Sequence, residues 1–160
     1  MTKEKFPVTS AIRFLRENQI DFIERPYKYE EHGGTEIPAE AFGVGEHLVI
    51  KTLVMEDDQK TPFIILMHGD KQVSTKALAR TIGVKSVNPC TPEIALKHTG
   101  YMVGGISPFG TKKALRVYVE ESILGLPRIF INAGRRGLLC EMSPADLINI
   151  LKPIPVKVAR

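Results

Sequence analysis

The sequence predicts an α+β fold, a mixed and largely antiparallel β-sheet flanked by helices, and three observations predict it. Two apolar runs rich in β-branched residues, 47–55 and 62–68, are separated by the polar stretch Glu56-Asp57-Asp58-Gln59-Lys60, which is a hairpin signal. Between the apolar runs lie segments that open on a hydroxyl residue and close on glycine or proline, as capped helices do. Helical and extended segments follow one another in mixed rather than strictly alternating order, which argues against a doubly wound parallel sheet.

In chain order, residues 7–18 read as an amphipathic helix with Thr9 or Ser10 as cap and Ile12 and Leu15 at helical spacing. Residues 21–27 read as a strand. Residues 28–45 form a long loop around Gly33-Gly34-Thr35 and Pro38, with a short helical piece at 39–42 that ends at Gly43 or Gly45. The runs 47–55 and 62–68 are expected as central antiparallel strands. Ser74 or Thr75 caps a helix through Thr81 that Gly83 stops, and Thr91-Pro92-Glu93 starts another that Gly100 stops. Strands are expected at 101–103, 115–119, 128–132 and 137–141. Ser143-Pro144 opens a last helix that Pro153 closes, and 156–159 reads as a short final strand.

Composition narrows the function classes. At 160 residues, 43% hydrophobic and 25% charged, the chain has material for one core and is too short for two ordinary domains, so residues 1–160 are read as one domain. The same proportions argue against disorder, collagen and coiled coil. No apolar run reaches the ~18–20 residues of a spanning helix, and Met1-Thr2-Lys3-Glu4-Lys5 lacks the apolar stretch of a signal peptide, so the expected address is the cytoplasm, with no membrane partner. A net charge of +4 and a pI near 9.1 are compatible with an anionic partner. Cys90 and Cys140 match no metal pattern and are expected as reduced thiols.

Three constellations could carry chemistry. Lys51 stands inside Leu48-Val49-Ile50-Lys51-Thr52-Leu53-Val54-Met55, and alternation gives it the face of Val49, Leu53 and Met55. Either it snorkels from a strand end to water, or it lines a cavity that receives an anion or a carbonyl. The run from Thr99 to Gly110, with Gly100, Gly104, Gly105 and Gly110, is either a backbone cradle for an anion or oxyanion or a tight turn with a bulge. Asn132-Ala133-Gly134-Arg135-Arg136-Gly137 is either an amide and two arginines meeting a ligand or an ordinary hairpin with solvated basic residues. His32, His47, His68 and His98 show no metal spacing, and no Gly-x-Ser-x-Gly elbow or paired carboxylates are visible.

Taken in order, Lys51-Thr52-Leu53, Thr99-Gly100-Tyr101-Met102-Val103-Gly104-Gly105-Ile106-Ser107-Pro108 and Ala133-Gly134-Arg135-Arg136-Gly137-Leu138 resemble the YbaK/ProX-type aminoacyl-tRNA deacylases. The same fold serves as the editing insertion of bacterial prolyl-tRNA synthetases. The resemblance implies a trans-acting enzyme that removes a wrong amino acid from tRNA(Pro), with prolyl-tRNA synthetase as a possible partner and no cofactor or metal. It implies catalytic parts for Lys51, Gly104, Gly105 and Tyr27, and a substrate pocket that includes Thr52, Ser107, Pro108, Arg135 and Arg136, to which the amide of Asn132 is expected to add a contact. In the YbaK branch the thiol of the substrate cysteine attacks its own ester; in the ProX branch water attacks an alanyl ester. Asn132 stands where the YbaK branch commonly has serine, and Leu139 where an aspartate follows Arg-Gly-Leu, which bears on amino-acid specificity. Cysteinyl-tRNA(Pro) is the leading expectation and a water-mediated Ala-tRNA(Pro) hydrolase the alternative. A non-catalytic module binding an aminoacyl-tRNA end or a nucleotide is the rival of another class.

Overall fold

Hydroxyl side chains fix where four of the five helices begin in the computed structural model, which describes residues 8–160. Thr9, whose Oγ1 accepts from Ile12 N at 3.0 Å, caps α1 (Ser10–Glu17). Pro7, the first residue of the predicted helix, lies outside the described residues. The helix α2 (Glu36–Phe42) starts three residues earlier than predicted, because Pro38 falls in its first turn, where the missing N–H breaks no helical bond. Ser74 caps α3 (Thr75–Ile82), Thr91 caps α4 (Pro92–Thr99) and Ser143 caps α5 (Pro144–Leu151), each through its side chain.

The strands are β1 (Ile23–Pro26), β2 (Val49–Asp57), β3 (Pro62–His68), β4 (Val87–Pro89), β5 (Arg116–Glu120), β6 (Ile129–Arg135), β7 (Leu138–Met142) and β8 (Ile154–Val156). They form one sheet in the order β1-β7-β6-β2-β3-β5-β8, with β4 pairing β2 off this path. Four of the seven pairings are antiparallel and three parallel among the described residues, so the sheet is mixed, with the antiparallel hairpin β2–β3 at its centre as expected. That hairpin is tighter than its polar run suggests. Glu56 and Asp57 extend β2, and the Asp57 carboxylate closes the turn by accepting from Gln59 N at 2.8 Å and Thr61 N at 3.0 Å.

The continuous apolar run of β3 is explained by cover on both faces. Ile64 and Leu66 pack with α1, α5 and Phe109, while Phe63, Ile65 and Met67 pack with Leu78 and Ala79 of α3. A third cluster, Ala39, Val49, Phe130 and Leu139, lies under α2.

Three expectations are corrected. Residues 101–103 form no strand, because Thr99, Tyr101 and Ser107 spend their hydrogen bonds within an irregular loop. The final strand is Ile154–Val156 rather than 156–159, and Ala159 instead makes an isolated bridge with Val73. His47 and Leu48 belong to a 3-10 turn (Glu46–Leu48) before β2. The tail is held by the buried Glu120 carboxylate, whose Oε1 accepts from Val158 N at 2.7 Å and Ala159 N at 3.0 Å. Arg160 then exchanges two main-chain hydrogen bonds with Gln72, which steadies Gln72 and Val73.

Candidate active site

The sheet is split along one edge of β2. β6 pairs with β2 in parallel only at Val49 and Ile50, and β4 joins the same strand from Met55 onward. Residues 51–54 therefore have no neighbouring strand on that side. The split follows from β6, whose ladder with β7 shifts register between Asn132 and Arg135. Asn132 drives this local bend by accepting from Gly134 N at 2.7 Å. Because Cys90 N donates to Val54 O, the main-chain groups of the even-numbered residues face the gap, and Thr52 presents its N–H and C=O there. The gap opens into a cleft of about 800 Å³ whose walls include Tyr27, Tyr29, Lys51, Thr52, Gly104, Asn132, Arg136 and Leu139.

Lys51 is a half-buried cation in the cleft lining, two residues into β2. Val49 on one side belongs to the cluster under α2, and Met55 on the other to the cluster under α3. Burial lowers the pKa of its ammonium from the usual lysine value, and the charges of Glu46 and Asp70 act in the opposite direction. Its Nζ donates to the main-chain oxygen of Lys71, and an ammonium has further donors to offer a ligand. Next to it, the buried Thr52 Oγ1 has no hydrogen-bond partner among the described residues. The Thr52 side chain points to the face of β2 opposite that of Lys51, and a hydroxyl left without a partner is suited to a polar ligand group.

The facing wall joins three segments. Gly104 has φ +89°, and a Cβ there would stand 2.5 Å from Tyr29 Oη, so only glycine allows the loop to meet this tyrosine. Asn132 Nδ2 donates to Gly104 O at 3.1 Å, Arg136 Nε donates to Val103 O at 2.9 Å, and the Arg136 guanidinium lies 5.2 Å from the centre of the Tyr29 ring. Tyr27 is fixed by its main-chain bond to Gly137 O and by an edge contact with Phe42. Burial raises its phenol pKa, with Tyr29 adding to the effect and the Gly137 hydrogen bond opposing it.

The structure thus brings Lys51, Thr52, Tyr27, Gly104, Asn132 and Arg136 to one cleft. It places Gly105, Ser107 and Pro108 in the packed base of the loop and outside the cleft lining. Gly105 N is committed to Met102 O, and the fully buried Ser107 Oγ accepts from Phe109 N. Arg135 is likewise outside the lining, its Nη1 donating to Arg136 O at 3.4 Å. Residue-by-residue reading missed Tyr29, although its spacing of two from Tyr27 is the signal for a shared face in an extended segment. It also missed that Leu139 is an apolar floor residue, packed with Ala39, Val49 and Phe130.

A second polar group lies near Lys51. The His47 and His68 rings stack with centres 3.6 Å apart and planes within 6°, and His47 Nδ1 bonds Asp70 at 2.9 Å. These three residues could be taken for a metal site. Imidazole lone pairs lie in the ring plane, however, and two parallel rings this far apart cannot both direct them at one ion ~2.1 Å away. His68 is also committed, Nδ1 donating to His47 O and Nε2 accepting from Ser122 Oγ. Burial lowers its pKa, consistent with a neutral ring.

Neither thiol is a competent nucleophile. Cys140 is buried, with its pKa pushed up to about 12. Cys90 lines the cleft, but burial and the adjacent Glu56 carboxylate, 3.7 Å away, push its thiol up to about 11. Cys90→Ala is therefore expected to change kcat/KM for ester cleavage by less than about threefold in a deacylation assay, and a loss of tenfold or more would restore a protein nucleophile.

Comparison with known proteins gives the family and the fold. Residues 34–150 match the model of the aminoacyl-tRNA editing domain family. The chain is 29% identical over 143 residues to the "Putative Cys-tRNA(Pro)/Cys-tRNA(Cys) deacylase EbsC" of Enterococcus faecalis, covering 89% of this chain and 87% of that protein. It is 36% identical over 70 residues to a proline--tRNA ligase of Thermodesulfovibrio yellowstonii, covering 44% of this chain and 12% of the ligase. The crystal structure of a "putative trans-editing enzyme for prolyl tRNA synthetase" superposes with a TM-score of 0.81 at 22% identity, over 94% of this chain and 97% of that one, and shares the fold. No helix among the described residues is long and apolar enough to cross a membrane. The match over residues 34–150 establishes that the chain belongs to the aminoacyl-tRNA editing domain family.

Proposed function

We propose that the chain is a single-domain, trans-acting deacylase that frees tRNA(Pro) from a wrongly attached amino acid, with cysteine as the preferred one. The observation that carries this reading is the half-buried Lys51 ammonium in the lining of a cleft onto which the bare edge of β2 opens. An ester carbonyl that becomes tetrahedral develops negative charge on oxygen, and a cation in a partly desolvated wall stabilises that charge most where it forms. Gly104, held by Asn132 and Tyr29, brings main chain to the same cleft. Tyr27 shapes the entrance, Arg136 faces the polyanionic tRNA end, and Arg135 stands behind it. Ser107 and Pro108 support this wall from below.

With both protein thiols held protonated, the nucleophile comes from the substrate or from water. For a cysteinyl ester, the substrate sulfur attacks the ester carbon and a C–S bond forms. The bond from that carbon to the ribose oxygen then breaks, and the departing oxygen takes up the proton that the thiol gives up. The products are intact tRNA and a sulfur-containing ring. This tethered attack needs orientation and charge stabilisation from the protein and no cofactor. Prolyl-tRNA synthetase, which would produce the mischarged tRNA in the cytoplasm, is the partner this reading places upstream.

Incubation of the protein with Cys-, Ala- and Pro-tRNA(Pro) tests it. Cys-tRNA(Pro) is expected to be cleaved fastest, with the ring product in place of free cysteine, and Pro-tRNA(Pro) to survive. Brisk Ala-tRNA(Pro) turnover with weak Cys-tRNA(Pro) turnover would transfer the assignment to water-mediated alanyl hydrolysis. Absence of cleavage above buffer for all three would overturn the deacylase reading.

A further inference from the structure

We propose that Glu31 accepts the free α-ammonium of the bound aminoacyl group, so that the cleft selects aminoacyl groups whose amine is unblocked; this deepens the deacylase reading and rests on it. Every aminoacyl ester carries a cation next to its reacting carbonyl. Taking that cation out of water without an acceptor is costly, so a site that closes on the ester needs an anion or a carbonyl for it.

Besides the neutral acceptors of Thr52, its main-chain oxygen and its hydroxyl, the cleft supplies few acceptors, and only a carboxylate matches the ammonium in charge. Among the described residues that line it, Lys51 and Arg136 are the cationic side chains and Glu31 is the one carboxylate. The nearby Glu46 and Asp70 are engaged elsewhere, Glu46 by the Thr35 hydroxyl at 2.6 Å and Asp70 by His47, and neither lines the cleft. The Asn132 amide is spent at both ends, on Gly104 O and Gly134 N. Leu139 offers no polar atom. Glu31, by contrast, makes no hydrogen bond or ion pair with any described residue, and the carboxylates that act on Lys51 are Glu46 and Asp70.

Glu31 is exposed at the rim of the cleft, and its segment is held by two contacts. Gly33 N bonds Glu30 O at 3.0 Å in a turn, and two residues on Thr35 ties the segment to Glu46. The cleft therefore has two cations and one separate carboxylate, and an aminoacyl-adenosine end has an ammonium on one side and phosphodiester on the other. An N-acylated aminoacyl group lacks the ammonium and gains no contact from Glu31.

Binding of non-hydrolysable analogues tests this without requiring catalysis. The probes are 3′-deoxy-3′-(L-alanylamino)adenosine and its des-amino counterpart, the propionylamino compound, titrated calorimetrically. The wild-type chain is expected to bind the free-amine compound at least tenfold more tightly. Glu31→Gln should bring the two affinities within about twofold of one another by weakening the first alone, whereas Glu30→Gln should leave the tenfold ratio unchanged. Equal affinities in the wild-type chain, or a ratio that survives Glu31→Gln, would overturn the proposal whatever the deacylation assay gives. A ratio that collapses as expected in a chain that cleaves no ester would support Glu31 while removing the deacylase reading.

Discussion

Lys51→Ala is expected to lower the deacylation rate by at least two orders of magnitude while thermal unfolding shifts by only a few degrees. One well-placed charge contact to an oxyanion contributes ~3 kcal/mol when water is partly excluded, which corresponds to a factor above one hundred. The fold should tolerate the change, because the ammonium is only half-buried and its hydrogen bond is to the Lys71 main chain. Lys51→Arg should not restore the rate. The planar guanidinium cannot occupy the space of a compact ammonium between the clusters of Val49 and Met55. Single-turnover rates on Cys-tRNA(Pro) for the three chains decide the matter, and near-wild-type rates for Lys51→Ala would assign the catalytic charge elsewhere.

Gly105→Val is the second large effect. Gly105 is buried where the loop of residues 101–110 crosses the turn after β6, and a Cβ there would stand 2.8 Å from both the Arg135 carbonyl carbon and the Arg136 nitrogen. Those are main-chain atoms and cannot swing aside as a side-chain tip would. The two segments must separate, which pulls Gly104 from Asn132 and Val103 from Arg136. A stability loss of ~1–3 kcal/mol and an activity loss of tenfold to one hundredfold are expected. Thermal denaturation and deacylation on the same preparation check both. The same substitution at Gly125, where a Cβ meets nothing within 4 Å, is the control and should be nearly silent. Wild-type stability for Gly105→Val would mean that the two segments can separate at no cost.

Local chemistry was legible in the sequence. Thr9, Ser74, Thr91 and Ser143 announce their helices because a cap is a short-range hydrogen bond between residues two or three apart. Lys51 stood out because alternation along a strand is equally local, and the order of three motifs, at 51–53, 99–108 and 133–138, led to the right family. The split of the sheet was not legible. It depends on β6 leaving β2 after Ile50, on a bulge 80 residues away in sequence, and on β4, a three-residue strand containing Pro89 that shows no periodicity. The base of the glycine-rich loop was misread for a related reason. A buried serine bonded to its own neighbourhood, as Ser107 is, and a serine waiting for substrate look alike until burial is known.

The open edge of β2 has a consequence for solution behaviour. A strand with unsatisfied main-chain groups is a template on which another chain can add itself, and long flat edges of this kind lead to fibrils. Here the stretch without a strand neighbour runs over residues 51–54, roughly 13 Å at ~3.3 Å per residue; Val54 O is already taken by Cys90 N, and the stretch is closed at one end by β6 and at the other by β4. A foreign strand would need a longer run to seat itself and would have to pass Lys51, a charge of the sort that guards exposed edges. A gap this short and this flanked leaves room for a small group and gives a second copy of the chain too little edge to extend the sheet.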